Sequence, residues 1–248
     1  MDPVLAPAPV LRREPHTLHP DLWLGHQLGR SGSQVVGTGF PALDAQLPGG
    51  GWPRRALSEL LLPHAGIGEI RLLAPSLVTT QAAGRLVMLF DPPAALCAVA
   101  LGQLGLVVDD LLVIQTRARV IPGSDSLWAL EQALKSGHVG AVIAWLPPRL
   151  RAERLRRLQL AAHNHDGAAF VMREAAASAR PTASPLRLGL RAGGADRLQV
   201  SVLKRRGPPL ESVVQLELPP VLSAAARRRA ESDVHVPALQ AATFVSFA

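Results

Sequence analysis

Tyrosine is absent from the 248 residues, and aromatic side chains make up only 4% of them. That argues against a single-strand binder built on aromatic stacking platforms. There is one cysteine, Cys97, so an intrachain disulfide is impossible and a cysteine-based zinc site lacks its ligands. Lysine is nearly missing: Lys135 and Lys204 stand against 24 arginines. No apolar run reaches the ~20 residues that a bilayer span needs. The segment 1–20 has no basic region followed by an apolar one, so neither a signal peptide nor a membrane partner is expected and the expected location is the cytoplasm. What is present is 48% hydrophobic and 18% charged residues, a globular composition that excludes a fully disordered chain. The formal charge of +7 is carried by arginine, whose planar fork suits phosphates and carboxylates. Nucleic acid or an acidic protein is therefore open as a partner. A GC-rich genome writing arginine for lysine is the plainer account.

Residues 1–37 read as a flexible arm, proline-rich at its start, with a short helix over Asp21–Leu28 and a Gly/Ser linker over Gly29–Gly37. A core follows over 38–220. Thr38-Gly39-Phe40-Pro41 opens a short helix with proline in its first turn, and Leu43 and Leu47 lie four apart on one side of it. Pro48–Pro53 forms a glycine turn. Apolar bursts and helical patterns then alternate. Strands are expected at 56–62, 86–90, 111–115, 141–146 and 168–172, and helices at 69–83, 94–104, 126–134 and 150–162. Short strands apolar on both faces and separated by helices indicate an α/β, doubly wound, mainly parallel sheet. From 186 to 218 three strand patterns follow with no helix between them, an antiparallel extension of the same sheet. Pro219-Pro220 ends the core. Residues 221–248 read as a partner-binding tail, with Arg227, Arg228 and Arg229 for an acidic groove and Leu239, Phe244 and Phe247 as apolar anchors.

This order of pieces resembles the RecA-type recombinase core from about Thr38 to Leu218. Its most specific stretch is GTGFPALDAQLPGGGWPRRALSELLLPHAGIGE. With LWLGHQL, SLWALEQAL, LRRLQLAA and ASPLRLGL, it is similar to the ImuA family, RecA-related accessory factors of bacterial mutagenic translesion synthesis. SulA-type division inhibitors share part of the pattern. The resemblance implies a role in the SOS response. The implied partners are ImuB, an inactive relative of Y-family polymerases, an error-prone C-family polymerase, and RecA itself through related surfaces.

The chemistry of a nucleotide-cleaving member of that group is not evident. A working P-loop is Gly-x-x-x-x-Gly-Lys-Ser/Thr. Here the loop is Pro63-His64-Ala65-Gly66-Ile67-Gly68-Glu69-Ile70, with an acid where the lysine should stand and an apolar residue at the magnesium hydroxyl. Glu69 near a helix N-terminus is also favourable simply as a helix start. After the second core strand Asp91 is present, but Pro93 falls at the catalytic glutamate. Ala144-Trp145-Leu146 lacks a magnesium aspartate, and Arg173-Glu174 replaces the γ-phosphate-sensing amide. A triphosphate needs cation, metal and polarised water together. No cofactor and no catalytic residue are expected.

The remaining basic residues have two readings each. Lys204-Arg205-Arg206 occupy the place where the family reaches a neighbour's nucleotide, and are a phosphate or acidic-partner contact or a solvated hairpin end. Arg154, Arg156 and Arg157 crowd one helix, with Arg180 in the loop 175–184, and are a DNA contact or a solvated face. His163, His165 and Asp166 sit at a helix end that favours histidine without a metal. Cys97, Trp128 and Trp145 lie in apolar runs and are expected to be buried. Ser58, Ser76 and Ser126 have no nucleophile-elbow setting. Three functions stay open on these residues: a binding protein without catalysis, an ATP-dependent recombinase, and a division inhibitor acting on a tubulin-like polymer.

Overall fold

The computed structural model describes residues 35–116, 123–147, 149–207 and 213–222, with Ala225, Arg228 and Arg229 beyond them. In chain order its elements are β1 (Val35–Val36), α1 (Pro41–Asp44), β2 (Trp52–Pro53), β3 (Leu57–Leu62), α2 (Glu69–Ala82), β4 (Leu86–Phe90), α3 (Ala98–Gln103), β5 (Leu111–Ile114), α4 (Gly123–Lys135), β6 (Val139–Trp145), α5 (Ala152–Ala162), β7 (Ala168–Glu174), β8 (Leu186–Gly194), β9 (Arg197–Lys204) and β10 (Val213–Glu217). Eight strands form one sheet in the order β10-β9-β8-β3-β7-β6-β4-β5. The strands from β3 to β8 in chain order pair in parallel, and β9 and β10 each run antiparallel to their neighbour. One expectation is corrected here: β8 pairs in parallel with β3, so the antiparallel extension begins one strand later.

The sheet separates two apolar layers. Leu72, Leu73 and Leu77 of α2 pack with Leu60, Leu62, Ile143 and Phe170 on one face. Leu127, Leu130 and Leu134 of α4 and Leu155 and Leu158 of α5 pack with Val142 and Val171 on the other. Trp52 is fully buried and meets Phe170 edge to face, with ring centroids 5.1 Å apart and planes at 88°. Pro41 stands at the start of α1, and Leu43 and Leu47 are buried as their spacing predicts. Gly39, at φ 84°, lies against the Pro75 ring of α2, so any side chain there would collide.

Several local expectations fail for physical reasons. Val35–Val36, read as the end of a linker, pair with Trp52–Pro53 instead. The helix read over 94–104 forms only from Ala98, and of its residues only Leu101 is buried. Cys97 therefore sits exposed at the helix entry rather than in the core. Trp128 is 59% exposed, because Leu127, Leu130 and Leu134 take the inward side of α4 and the next position points away. Trp145 is partly buried against the first layer. The short helix read over 21–28 lies outside the described residues, as do Arg227, Leu239, Phe244 and Phe247 of the tail. Arg228 and Arg229 are helical and exposed.

Candidate functional site

The loop that would hold phosphates joins the end of β3 to the start of α2. Pro63, His64 and Gly66 are exposed, Ile67 turns into the core, and Ile70 packs on it. Gly66 and Gly68 have φ of 86° and 115°, a backbone that turns their N–H groups inward. Those N–H groups are engaged. The Gly66 amide donates to both carboxylate oxygens of Glu69, at 2.8 and 3.1 Å, and the Gly68 amide donates to one of them at 3.2 Å. Glu69 is 3% exposed. An acid at the position of the P-loop lysine thus folds back and sits on the amides that a phosphate would use. Gly68 is fixed from the other side too, because a Cβ on it would lie 2.6 Å from Leu218 Cδ1. Arg71, two residues further along α2, clamps that contact. It donates to the carbonyls of Pro219 and Leu218, at 2.8 and 3.2 Å, and pairs with Asp196.

The other positions of a nucleotide site hold different partners. Asp91, at φ 50°, accepts from the Thr116 amide at 2.7 Å and from its hydroxyl, so its carboxylate closes the β4–β5 end. At the end of β6 the Leu146 amide donates to the Met172 carbonyl at 3.0 Å, and Ala144-Trp145-Leu146 contains no acid. Arg173, in place of the sensing amide, is turned into the sheet and pairs with Glu59.

That pairing is the part of the site that motif reading does not isolate. Glu59 lies at the middle of β3 and is fully buried. Its Oε1 accepts from Arg173 Nη1 of β7 at 2.8 Å, and its Oε2 from Arg187 Nε of β8 at 2.7 Å. Burial works to raise the Glu59 carboxyl, but hydrogen bonds from Arg187, Thr182 and Arg173 and the Arg187 charge outweigh it. They hold it below the ordinary carboxylate value. Arg187 Nη1 also donates to the carbonyls of Ser178 and Arg180 in the loop that crosses from β7 to β8. The signal was in the sequence: an acid inside LSELLL, with buried neighbours on both sides, needs cationic partners.

The predicted basic residues do not converge on one point. Arg157 pairs with Glu131 of α4 at 2.8 Å, whereas Arg156 is exposed on the outer side of α5. Arg154 is half-buried. Lys204 donates to the Thr182 carbonyl at 2.9 Å and Arg205 to the Gln46 carbonyl at 2.6 Å, both contacts that tie loops together, while Arg206 is exposed. Arg180 lies 4.0 Å from Glu174. His163 and Asp166 are exposed while His165 is buried, and no group of three or more metal-ligating side chains converges among the described residues. No described helix is long and apolar enough to cross a membrane.

Comparison with known proteins bears on the same stretch. Residues 57–170, from β3 into the start of β7, match the family described as cell division inhibitor SulA. Over 120 residues the chain is 32% identical to the RecA protein of Symbiobacterium thermophilum, which is 48% of this chain and 33% of that protein. Over 124 residues it is 34% identical to the RecA protein of Deinococcus radiodurans, again 48% of this chain and 33% of the relative. Over part of its length the chain is similar to both SulA and RecA proteins. It spans about a third of the length of the curated RecA relatives it matches. The eight-stranded, mainly parallel sheet with its antiparallel end fits that relation.

Proposed function

We propose that this RecA/SulA-related chain works by binding rather than by cleaving nucleotide, as an accessory protein of mutagenic translesion synthesis in the SOS response. The observation that carries the first half is the Glu69 carboxylate on the amides of Gly66 and Gly68. A triphosphate entering that loop would meet a negative charge where the P-loop supplies a cation, with Ile70 unable to hold magnesium. The second half rests on the motifs similar to the ImuA family. Its partners on this reading are an ImuB-like inactive polymerase relative and, through it, an error-prone C-family polymerase. RecA and DNA are further candidates.

Titration calorimetry with magnesium and ATP is expected to give no saturable heat. Saturable micromolar binding that survives Glu69→Lys unimproved would end the argument from the loop. The SulA family match over 57–170 favours a second reading, a division inhibitor that blocks a tubulin-like polymer. Co-purification separates the two. The accessory reading expects the full chain to retain an ImuB-like protein and to leave assembly of a tubulin-like polymer unchanged. Inhibition of assembly at equimolar protein, with no ImuB-like capture, would replace it by the second.

A further inference from the structure

Trp128 and Leu160 are 59% and 58% exposed, and each stands on the outward side of a helix whose inward side is already filled by leucine. Large apolar side chains placed this way add little to the fold, and tryptophan is the residue type most enriched where binding energy concentrates. The two belong to one face. Along α4, Trp128, Glu131 and Lys135 follow at spacings of three and four, so they form one stripe. Along α5, Arg157 and Leu160 are three apart, with Arg156 exposed beside them. α4 and α5 cover the same side of the sheet and lead into the neighbouring parallel strands β6 and β7. Arg157 reaches across from one helix to Glu131 on the other at 2.8 Å. That bridge joins the two stripes. Trp128 lies one turn from its acidic end and Leu160 one turn from its basic end. The result is a shallow seam between two parallel helices with an apolar anchor on each wall.

The charge of the seam is one-sided. Glu131 is shared, its Oε1 accepting from Lys135 at 2.7 Å and its Oε2 from Arg157 at 2.8 Å. Lys135, Arg156 and Arg157 are exposed, and Arg154 is half-buried. The other acid of α5 is Glu153, in its first turn. Cations therefore outnumber acids along the face. Exposed ion pairs contribute about 0–1 kcal/mol each, so Lys135 and Arg157 can turn to further carboxylates at little cost.

We propose that the seam between α4 and α5 is a docking surface for a protein partner that presents an acidic amphipathic helix. The apolar stripe of that helix covers Trp128 and Leu160, and its carboxylates meet Lys135, Arg156 and Arg157. A groove between helices takes a third helix through anchors of this kind. A second copy of this chain suits the seam poorly, because it carries the same excess of arginine and a net charge of +7. The inference rests on the reading of the chain as a binding protein and adds the surface; it does not depend on which partner is named above.

The probe is a labelled synthetic peptide of about 20 residues, long enough to form a helix, with leucine at i, i+3, i+4 and i+7 and glutamate elsewhere. Fluorescence anisotropy against the full chain is expected to show saturable binding that weakens as salt rises, and the same peptide with lysine for glutamate is expected not to bind. Trp128→Ala and Leu160→Ala alter exposed positions, so Tm should stay within about 2 °C of wild type. Each should nevertheless weaken binding at least about tenfold. Arg156→Ala/Arg157→Ala should weaken it too and flatten the salt dependence. Val99→Ala, at a 71% exposed position on α3, controls for adhesion to any apolar side chain and should bind like wild type. No saturable binding below about 1 mM overturns the proposal. So does binding unchanged in Trp128→Ala, or an equal loss in Val99→Ala. Displacement of the peptide by a short oligothymidylate that itself binds Trp128→Ala as well as wild type makes the face a nucleic-acid surface and also overturns it. A dimer in sedimentation that Trp128→Ala dissolves replaces the partner by a second copy. The ATP titration reads the Glu69 loop alone, so failure here removes this surface and leaves the binding reading to its own test.

Discussion

Replacing Glu59 by alanine is expected to remove about 3–5 kcal/mol of folding stability, the scale on which a buried ion pair fails when one partner is taken away. The reason is arithmetic of charge in a dry place. Arg173 and Arg187 are 4% and 5% exposed, and among the described residues Glu59 is the carboxylate that pairs with both of them. Without it, two guanidinium groups face each other across β3 in low dielectric. At roughly 2–4 °C per kcal/mol for a domain of this size, Tm should fall by roughly 6–20 °C. Urea unfolding of wild type and Glu59→Ala measures the difference. A companion protein with Glu59→Leu, Arg173→Met and Arg187→Met tests the cause. Removing all three charges together should restore most of the loss, because buried triads are often no more stable than apolar residues of similar volume. A loss under 1 kcal/mol in Glu59→Ala, or no recovery in the triple replacement, would show that the triad is not what holds these strands.

The second large effect is a loss of stability in mild acid that traces to His165. The ring is fully buried at the turn between α5 and β7. Burial pushes its pKa down from 6.5 to about 4, and the Arg85 charge adds to the push, while the Ala168 backbone and Asp166 pull weakly the other way. Arg85 is fixed there by donating to the carbonyls of Asp166 and Val139. Between those two pKa values the unfolded chain takes up a proton on this histidine and the folded chain does not. The unfolded state then binds more protons, so stability rises with pH in that window and is lost as pH falls from 6.5 toward 4. Full use of the window amounts to on the order of 3 kcal/mol. Urea unfolding at pH 7.0 and 4.5 is expected to show most of that loss in wild type. His165→Asn should show a much flatter dependence, whatever its absolute stability. Equal pH dependence in the two proteins would rule out His165 as the titrating group.

The parallel strands, their order of appearance and the two-sided cover of helices were legible because each strand is a short apolar run bounded by Gly, Pro or charge. Leu127, Leu130 and Leu134, and Leu155 and Leu158, declared inward faces by spacing alone. Trp128 and Cys97 were misread because membership in an apolar run says nothing about angle around a helix or about where a helix starts. The parallel pairing of β8 was hidden since strand direction depends on the crossing, and here one short 3-10 turn and a loop cross where an α-helix usually does. At the nucleotide loop, the sequence supplied the wrong charge at Glu69 but not its conformation. The carboxylate folds back because two glycine amides at positive φ offer it N–H donors within its own turn. The Glu59 triad joins three strands over separations of 114 and 128 residues, and no spacing rule links such positions.

The clamp of Arg71 on the carbonyls of Leu218 and Pro219 also sets where the chain can be shortened. By ladder pairing alone β10 ends at Glu217, and a cut there would seem harmless. Yet the next two residues supply acceptors to the helix that begins at the Glu69 loop, and the Leu218 side chain rests against Gly68. The segment just after β10 and the first loop of the sheet are therefore a single mechanical joint. A pull on the chain at Pro219 would bear on the Arg71 clamp and through it on that loop, which makes this short segment a handle on the loop.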